Sequence, residues 1–205
     1  MEHHGKLEDQ WSFVFWLIRT DLHRYAGKRD IRTLLLHLWQ TPGFKCTTWY
    51  RVCRYLKRRR GWRLVVMPFA RFLYFRNQYK YGISIPFETQ IGSGFYIGHF
   101  GGIFISSLCV IGRDVNISQD VTIGRTVRNG IPGSALIGDR VYIGPGAKVV
   151  GAVRIGDDVA IGANCVVTRD AIDSSIVAGV PGRTISEGKG SIGYINRTNY
   201  PPYCG

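Results

Sequence analysis

A neutral imidazole has an intrinsic pKa suited to taking a proton from a hydroxyl near neutral pH. Five histidines offer that chemistry: His3, His4, His23, His37 and His99. His99 stands apart, with Gly98 before it and Gly101-Gly102 after it. Glycines there leave space and backbone N–H groups open to a substrate, and such N–H groups are candidate donors to a developing oxyanion. One histidine in this stretch cannot supply the three ligands of a catalytic zinc site, so no metal is expected and carbonic-anhydrase-type chemistry is set aside. Cys46, Cys53, Cys109, Cys165 and Cys204 are scattered, with no CxxC spacing. They predict reduced thiols in a cytoplasmic protein and no disulfide framework.

The element that must position His99 declares itself by a period of six. Aliphatic residues fall at Ile85, Ile91, Ile97 and Ile103, slip by two residues, and resume at Ile105, Ile111, Ile117 and Ile123. They return at Ile137, Ile143, Val149, Ile155, Ile161 and Val167, and glycine follows many of them. Neither an amphipathic helix nor an alternating strand has this period; hexapeptide repetition predicts a parallel β-helix whose aliphatic residues point inward and whose glycines turn the corners. Between Ile123 and Ile137 the register fails across the polar, turn-rich stretch Arg125–Ser134, which is expected to leave the coil as a loop.

Upstream, residues 9–40 read as helix, divided near Gly27; Thr41-Pro42-Gly43 reads as a turn. Residues 44–79 read as helix again, broken near Arg60-Gly61 and bent or restarted at Pro68. The fold class expected is α+β. A basic helical region covers 1–80, the β-helix 81–183 and a tail 184–205, whose tyrosines receive no chemical role.

The charge is divided along the same line. Residues 1–80 hold 17 Lys/Arg against 5 Asp/Glu, a net of +12; residues 81–205 hold 10 against 9, a net of +1. Lys57-Arg58-Arg59-Arg60 lies among aromatic and aliphatic residues, which suits an anionic glycan or the inner-membrane surface better than nucleic acid, for which no motif is present. No apolar run is long enough to span a bilayer and no secretory signal is read at the start of the chain. A cytoplasmic protein, peripheral to the inner membrane, is the expectation.

Four stretches together resemble the hexapeptide-repeat acyltransferases, and within them the serine acetyltransferase-like group. They are Ile91-Gly-Ser-Gly-Phe-Tyr-Ile-Gly-His99-Phe-Gly-Gly-Ile103, Asn116–Gly124, Ile137–Gly151 continuing through Ile161-Gly-Ala163, and the closing Ala178-Gly-Val-Pro-Gly-Arg183. Pro42-Gly-Phe44 and Tyr50-Arg51 are similar to the group's N-terminal part. The resemblance implies a left-handed β-helix, a homotrimer or a dimer of trimers, and acetyl-CoA as acyl donor in a cleft between subunits, with His99 as general base. It carries Gly124, Gly144, Pro145, Gly162 and Ala163 to the pantetheine arm, with Pro181 in the closing motif. Arg169 and Arg183 are the candidates for the CoA phosphates, since guanidinium groups suit phosphate oxygens. Phe100, Gly101, Arg125 and Arg128 are assigned to the acceptor region.

Three departures from the group bear on the acceptor. The aspartate expected fifteen residues before the histidine is Ser84, which can hydrogen-bond an imidazole but cannot stabilise imidazolium as a carboxylate does; Glu88 is the nearest carboxylate that would substitute. The acidic residue usually standing just before the histidine is Gly98, and the loop that would carry a basic and histidine-containing pair reads Ile131-Pro-Gly-Ser-Ala135. These departures favour a sugar hydroxyl of a capsular or other surface polysaccharide as acceptor. Serine O-acetylation, with acceptor groups drawn from other positions, is the alternative, and a non-enzymatic trimeric scaffold the third reading. The tail does not end in isoleucine, so no partner enzyme is expected to dock there.

Overall fold

The computed structural model describes residues 10–58, 61, 65–128 and 130–204, without the side chains at 58 and 128. Arg59, Arg60, Trp62-Arg63-Leu64, His3 and His4 lie outside the described residues, as does the Arg128 side chain assigned to the acceptor region. Among the described residues, four helices precede the strands.

Helix α1 (Trp11–Ala26) buries Val14, Leu17, Ile18 and Leu22, which recur at helical spacing. It ends at Gly27, whose φ of 66° is the left-handed cap a glycine adopts freely and whose N–H donates to His23 O at 2.8 Å. Helix α2 (Ile31–Gln40) starts at Asp30, whose carboxylate accepts from the Thr33 N–H at 3.0 Å. Helix α3 (Pro42–Arg58) corrects the reading of Thr41-Pro42-Gly43 as a turn. Pro42 opens this helix, because the N–H that proline lacks has no helical acceptor in the first turn. Helix α4 (Val66–Tyr81) likewise tolerates Pro68 in its first turn and ends at Gly82.

From Ile83 the chain visits three parallel sheets in rotation. The first stacks β1 (Ile83–Ser84), β4 (Ile103–Ile105), β7 (Thr122–Gly124), β12 (Lys148–Val150) and β15 (Val166–Val167). The second stacks β2 (Gln90–Ile91), β5 (Val110–Ile111), β10 (Leu136–Ile137) and β13 (Arg154–Ile155). The third stacks β3 (Tyr96–Ile97), β6 (Asn116–Ile117), β11 (Tyr142–Ile143), β14 (Ala160–Ile161) and β16 (Ile176–Ala178), and β17 (Arg183–Ser186) returns antiparallel on β16. The hexad isoleucines pair with their own kind one rung on, as in Ile97↔Ile117, Ile117↔Ile143 and Ile143↔Ile161, and all four are buried. Each such side chain removes apolar surface worth about 1.5–3 kcal/mol from water. The two-residue slip at Ile103–Ile105 falls in one strand, where both isoleucines point inward and Phe104 outward. The Arg125–Ser134 stretch leaves the coil, as expected, but as a hairpin: β8 (Thr126–Arg128) pairs antiparallel with β9 (Ile131–Gly133).

Two buried arginines fasten the helices to the first turns of the coil. Arg51 donates to Asp21 at 3.0 and 3.1 Å and to the carbonyls of Ile91 and Gly92 at 2.6 and 2.5 Å. Arg24 donates to Asp114 at 3.3 Å, Asn116 at 2.7 Å and Gly94 O at 2.9 Å. Part of the N-terminal positive charge is therefore structural. Lys57, the described end of the basic run, pairs with Glu88 at 2.8 Å, and Arg54 donates to the carbonyls of Glu88 and Thr89. No helix among the described residues is long and apolar enough to cross a membrane.

Candidate active site

His99 lies on the corner between the third and first sheets, just beyond β3. Gly98 N–H donates to Ile117 O, Ser118 N–H to Ile143 O, Gly144 N–H to Ile161 O and Gly162 N–H to Val177 O, at 2.8–3.1 Å. These bonds stack Gly98-His99, Ser118, Gly144-Pro145 and Gly162-Ala163 along one edge. With rungs about 4.8 Å apart, Gly144 and Gly162 stand about 10 and 14 Å along the edge from Gly98. Arg183 continues it, because β17 pairs Arg183 with Ala178, whose Cβ lies 3.4 Å from where a Cβ on Gly162 would stand.

The candidate glycines differ in place and purpose: Gly144 and Gly162 lie on this edge, whereas Gly124 ends β7 at the far end of the first sheet's strand. A Cβ on Gly144 would come within 2.9 Å of Ala163 N and Ile161 O, so the next rung requires glycine there. A Cβ on Gly124 would meet nothing nearer than Thr122 Cγ2 at 4.0 Å. The coil makes no demand for glycine at 124.

The remaining candidates divide. Arg169 follows β15 at the far end of the first sheet's strand, off the edge that carries His99, Gly144 and Gly162. Ser84 faces outward from the first sheet and lines a separate cleft of about 290 Å³ with Phe104, Gly124 and Arg125. Glu88 lies on the corner between the first and second sheets, its carboxylate occupied by Lys57. Among the described residues no hydrogen bond joins either one to His99 within the protomer. Phe100 turns toward the helices and packs edge-on against Tyr81, with ring centroids 5.4 Å apart. Gly101 has a φ of 104° and open space around it. The described residues contain no group of three His, Cys, Asp or Glu placed to hold a metal.

Helix α3 sets the height of the histidine corner. A Cβ on Gly43 would lie 2.7 Å from Ile97 O and 2.8 Å from both Ile97 Cβ and Tyr25 Oη. Glycine there allows the start of α3 to press against the strand that ends two residues before His99. Tyr25 completes the contact, accepting from the Ile97 N–H at 3.0 Å and donating to Ile97 O at 3.1 Å.

The cavity holding His99 measures about 330 Å³ and has a wall that sequence reasoning missed. The coil contributes Tyr96, Ser118 and Tyr142, and the tail contributes Tyr194, Asn196 and Arg197. Tyr194 stacks on Tyr142 with ring centroids 4.4 Å apart, and its carbonyl accepts from Asn116 Nδ2 at 3.0 Å. Asn196 O accepts from Arg24 Nε at 2.7 Å. Farther along, Tyr200 donates to Asp114 at 2.8 Å, and Trp16 Nε1 donates to Pro201 O at 3.0 Å. The signal for this wall was the tail's run of tyrosines, but no period or motif says to which face such a tail returns.

Residues 134–169 match the family model for the bacterial transferase hexapeptide (six repeats). The chain is 36% identical over 172 residues to the serine acetyltransferase of Mycobacterium tuberculosis, covering 83% of this chain and 73% of that protein. It is 36% identical over 162 residues to the serine acetyltransferase of Helicobacter pylori strain J99, covering 79% of this chain and 90% of that one. The structure of soybean serine acetyltransferase complexed with serine superposes with a TM-score of 0.66 at 32% identity, over 81% of this chain and 67% of that chain. These likenesses overturn the surface-polysaccharide acceptor. The inference from Ser84, Gly98 and the Ile131–Ala135 loop assumed that acceptor groups come from those positions. The cavity shows other polar groups beside His99, brought there by the tail.

Proposed function

This chain belongs to the serine acetyltransferases, a family of hexapeptide-repeat transferases, and we propose that it moves the acetyl group of acetyl-CoA to the hydroxyl of L-serine with His99 as general base. The observation that carries this reading is the pair of 36%-identical serine acetyltransferases, matched over 73% and 90% of their own lengths. His99 Nδ1 or Nε2 takes the hydroxyl proton as the serine oxygen attacks the thioester carbonyl. The C–S bond then breaks, and the imidazolium returns the proton to the departing thiolate, giving O-acetylserine and free CoA.

In this reading the coil winds left-handed and the pantetheine arm lies along the edge of Gly144-Pro145 and Gly162-Ala163, with Pro181 beside it and Gly124 meeting the arm from an adjacent subunit. Arg183, at the end of that edge, meets the phosphates. Arg169 reaches them from an adjacent subunit, and Ser84 and Glu88 complete the histidine's surroundings in the same way. The assembly is a homotrimer: Phe104, Leu108 and Leu136 are about half exposed on the coil, where a subunit contact would cover them. The enzyme works in the cytoplasm, with 1–80 as a bracing helical region, 81–183 as the transferase domain and 184–205 as a tail that closes the cavity.

Mass spectrometry of the reaction with isotopically labelled L-serine tests the reading. Labelled O-acetylserine in step with CoA release is expected. CoA release without an acetylated amino acid would contradict it.

A further inference from the structure

The cavity around His99 has an unbalanced charge. Two arginines line it, Arg24 and Arg197, and no acidic residue does. Arg24 is matched by Asp114 at 3.3 Å, and its other donors go to Asn116, Gly94 O and Asn196 O. Arg197 has no such partner among the described ion pairs. Its Nη1 donates to the carbonyls of Tyr25 and Arg24 at the C-terminal end of α1, which leaves Nη2 and Nε. The carbonyls at the helix C-terminus hold the guanidinium in place and offset part of its charge. The tail thus brings to the cavity of His99 an arginine that no carboxylate pairs with among the described ion pairs.

Resting on the serine reading above, we infer that Arg197 is the carboxylate anchor of the amino-acid acceptor, with the tail segment Tyr194–Arg197 as the acceptor-side wall. A guanidinium suits this task because its donors lie in one plane and match a carboxylate's two oxygens. Its backbone bonds fix it before substrate arrives, and the stacking of Tyr194 on Tyr142 fixes the segment that carries it. This placement also accounts for an amino-acid transferase whose Ile131–Ala135 loop lacks basic residues: the cation comes from the tail. Arg197 binds and orients the acceptor, and proton transfer remains with His99.

The test compares L-serine with L-serine amide, which keeps the hydroxyl and ammonium and lacks the carboxylate, in the wild type, Arg197→Ala and Arg197→Lys. A charge-assisted contact of this kind is worth about 10- to 100-fold. Arg197→Ala is expected to raise KM for L-serine by about that factor, leave KM for acetyl-CoA unchanged, and remove the wild-type preference for serine over the amide. Arg197→Lys should retain part of the preference. A purely structural role, capping α1 and holding the tail, would lower activity on both acceptors equally. An unchanged serine-to-amide ratio in Arg197→Ala overturns the inference while leaving the serine reading intact. A wild-type protein that binds acetyl-CoA yet turns over neither acceptor overturns the serine reading, and the anchor with it.

Discussion

Replacing Arg51 with methionine should cost this fold several kilocalories. The guanidinium is buried, and its bonds include two to Asp21 and two to the carbonyls of Ile91 and Gly92. Methionine fills similar apolar volume and makes none of them. The Asp21 carboxylate, fully buried, would keep the Phe95 N–H at 2.9 Å as its remaining close donor. Stranding one member of a buried pair typically costs about 3–5 kcal/mol. For a chain of this length each kilocalorie moves Tm by about 2–4 °C, so a fall of about 6–20 °C is expected. Burial already holds the Asp21 carboxyl above the ordinary carboxylate range, even with Arg51 beside it. Without Arg51 that pKa rises further. A carboxyl raised in the folded state is protonated in both states at low pH and opposes folding increasingly as pH climbs toward its folded value. The deficit of Arg51→Met should therefore be smaller at pH 5 than at pH 8. Asp21→Asn in the Arg51→Met background should recover part of the loss at pH 8. Differential scanning fluorimetry at matched protein concentration measures all of this. A variant melting within about 2 °C of wild type would refute the reasoning, since that is the behaviour of an exposed pair.

Gly43→Ala places a methyl 2.7 Å from Ile97 O, and should lower Tm by about 2–12 °C on an overpacking cost of about 1–3 kcal/mol, with kcat falling because the His99 corner moves; unchanged kcat in a folded variant would contradict the bracing role of α3. Burial pushes the thiols of Cys46, Cys53 and Cys109 up to about 12 and raises that of Cys165, whereas Cys204 is exposed. A disulfide-exchange reagent at pH 8 should therefore titrate one thiol promptly and five after denaturation; two or more prompt thiols would contradict the packing. Acetyl-CoA at about 100 times its Kd should stabilise the protein by about 2.7 kcal/mol, and Gly162→Leu should remove most of that shift by filling the edge; equal shifts in both would move the cofactor elsewhere.

The coil was legible because its determinants are local and repeated. Ile91, Ile97 and Ile111 announce inward positions by spacing alone, and a stack of near-identical turns needs no long-range information to recognise. The place of His99 on a corner of the coil was legible for the same reason, whereas its role as base rested on the resemblance of Ile91–Ile103 to the acyltransferase motif. The first turn of α3 was misread because proline and glycine carry the same turn signal whether they end one helix or begin the next. Pro42 resolves as a beginning through Gly43's contact with Ile97, more than fifty residues downstream. The acceptor wall was hidden more deeply. Tyr194, Asn196 and Arg197 belong to an aperiodic tail whose position depends on Arg24, Asn116 and Trp16, contacts separated by some 80 to 185 residues. Their absence from the expected site is what made Ser84 and the Ile131–Ala135 loop look decisive against serine.

The central claim is that His99 performs base catalysis on a serine hydroxyl, and steady-state CoA release by wild type and His99→Ala with saturating L-serine tests it most directly. The account predicts kcat reduced by about 10²- to 10⁴-fold in the variant, with thermal stabilisation by acetyl-CoA preserved. Serine turnover within a few-fold of wild type in a folded His99→Ala protein would contradict it.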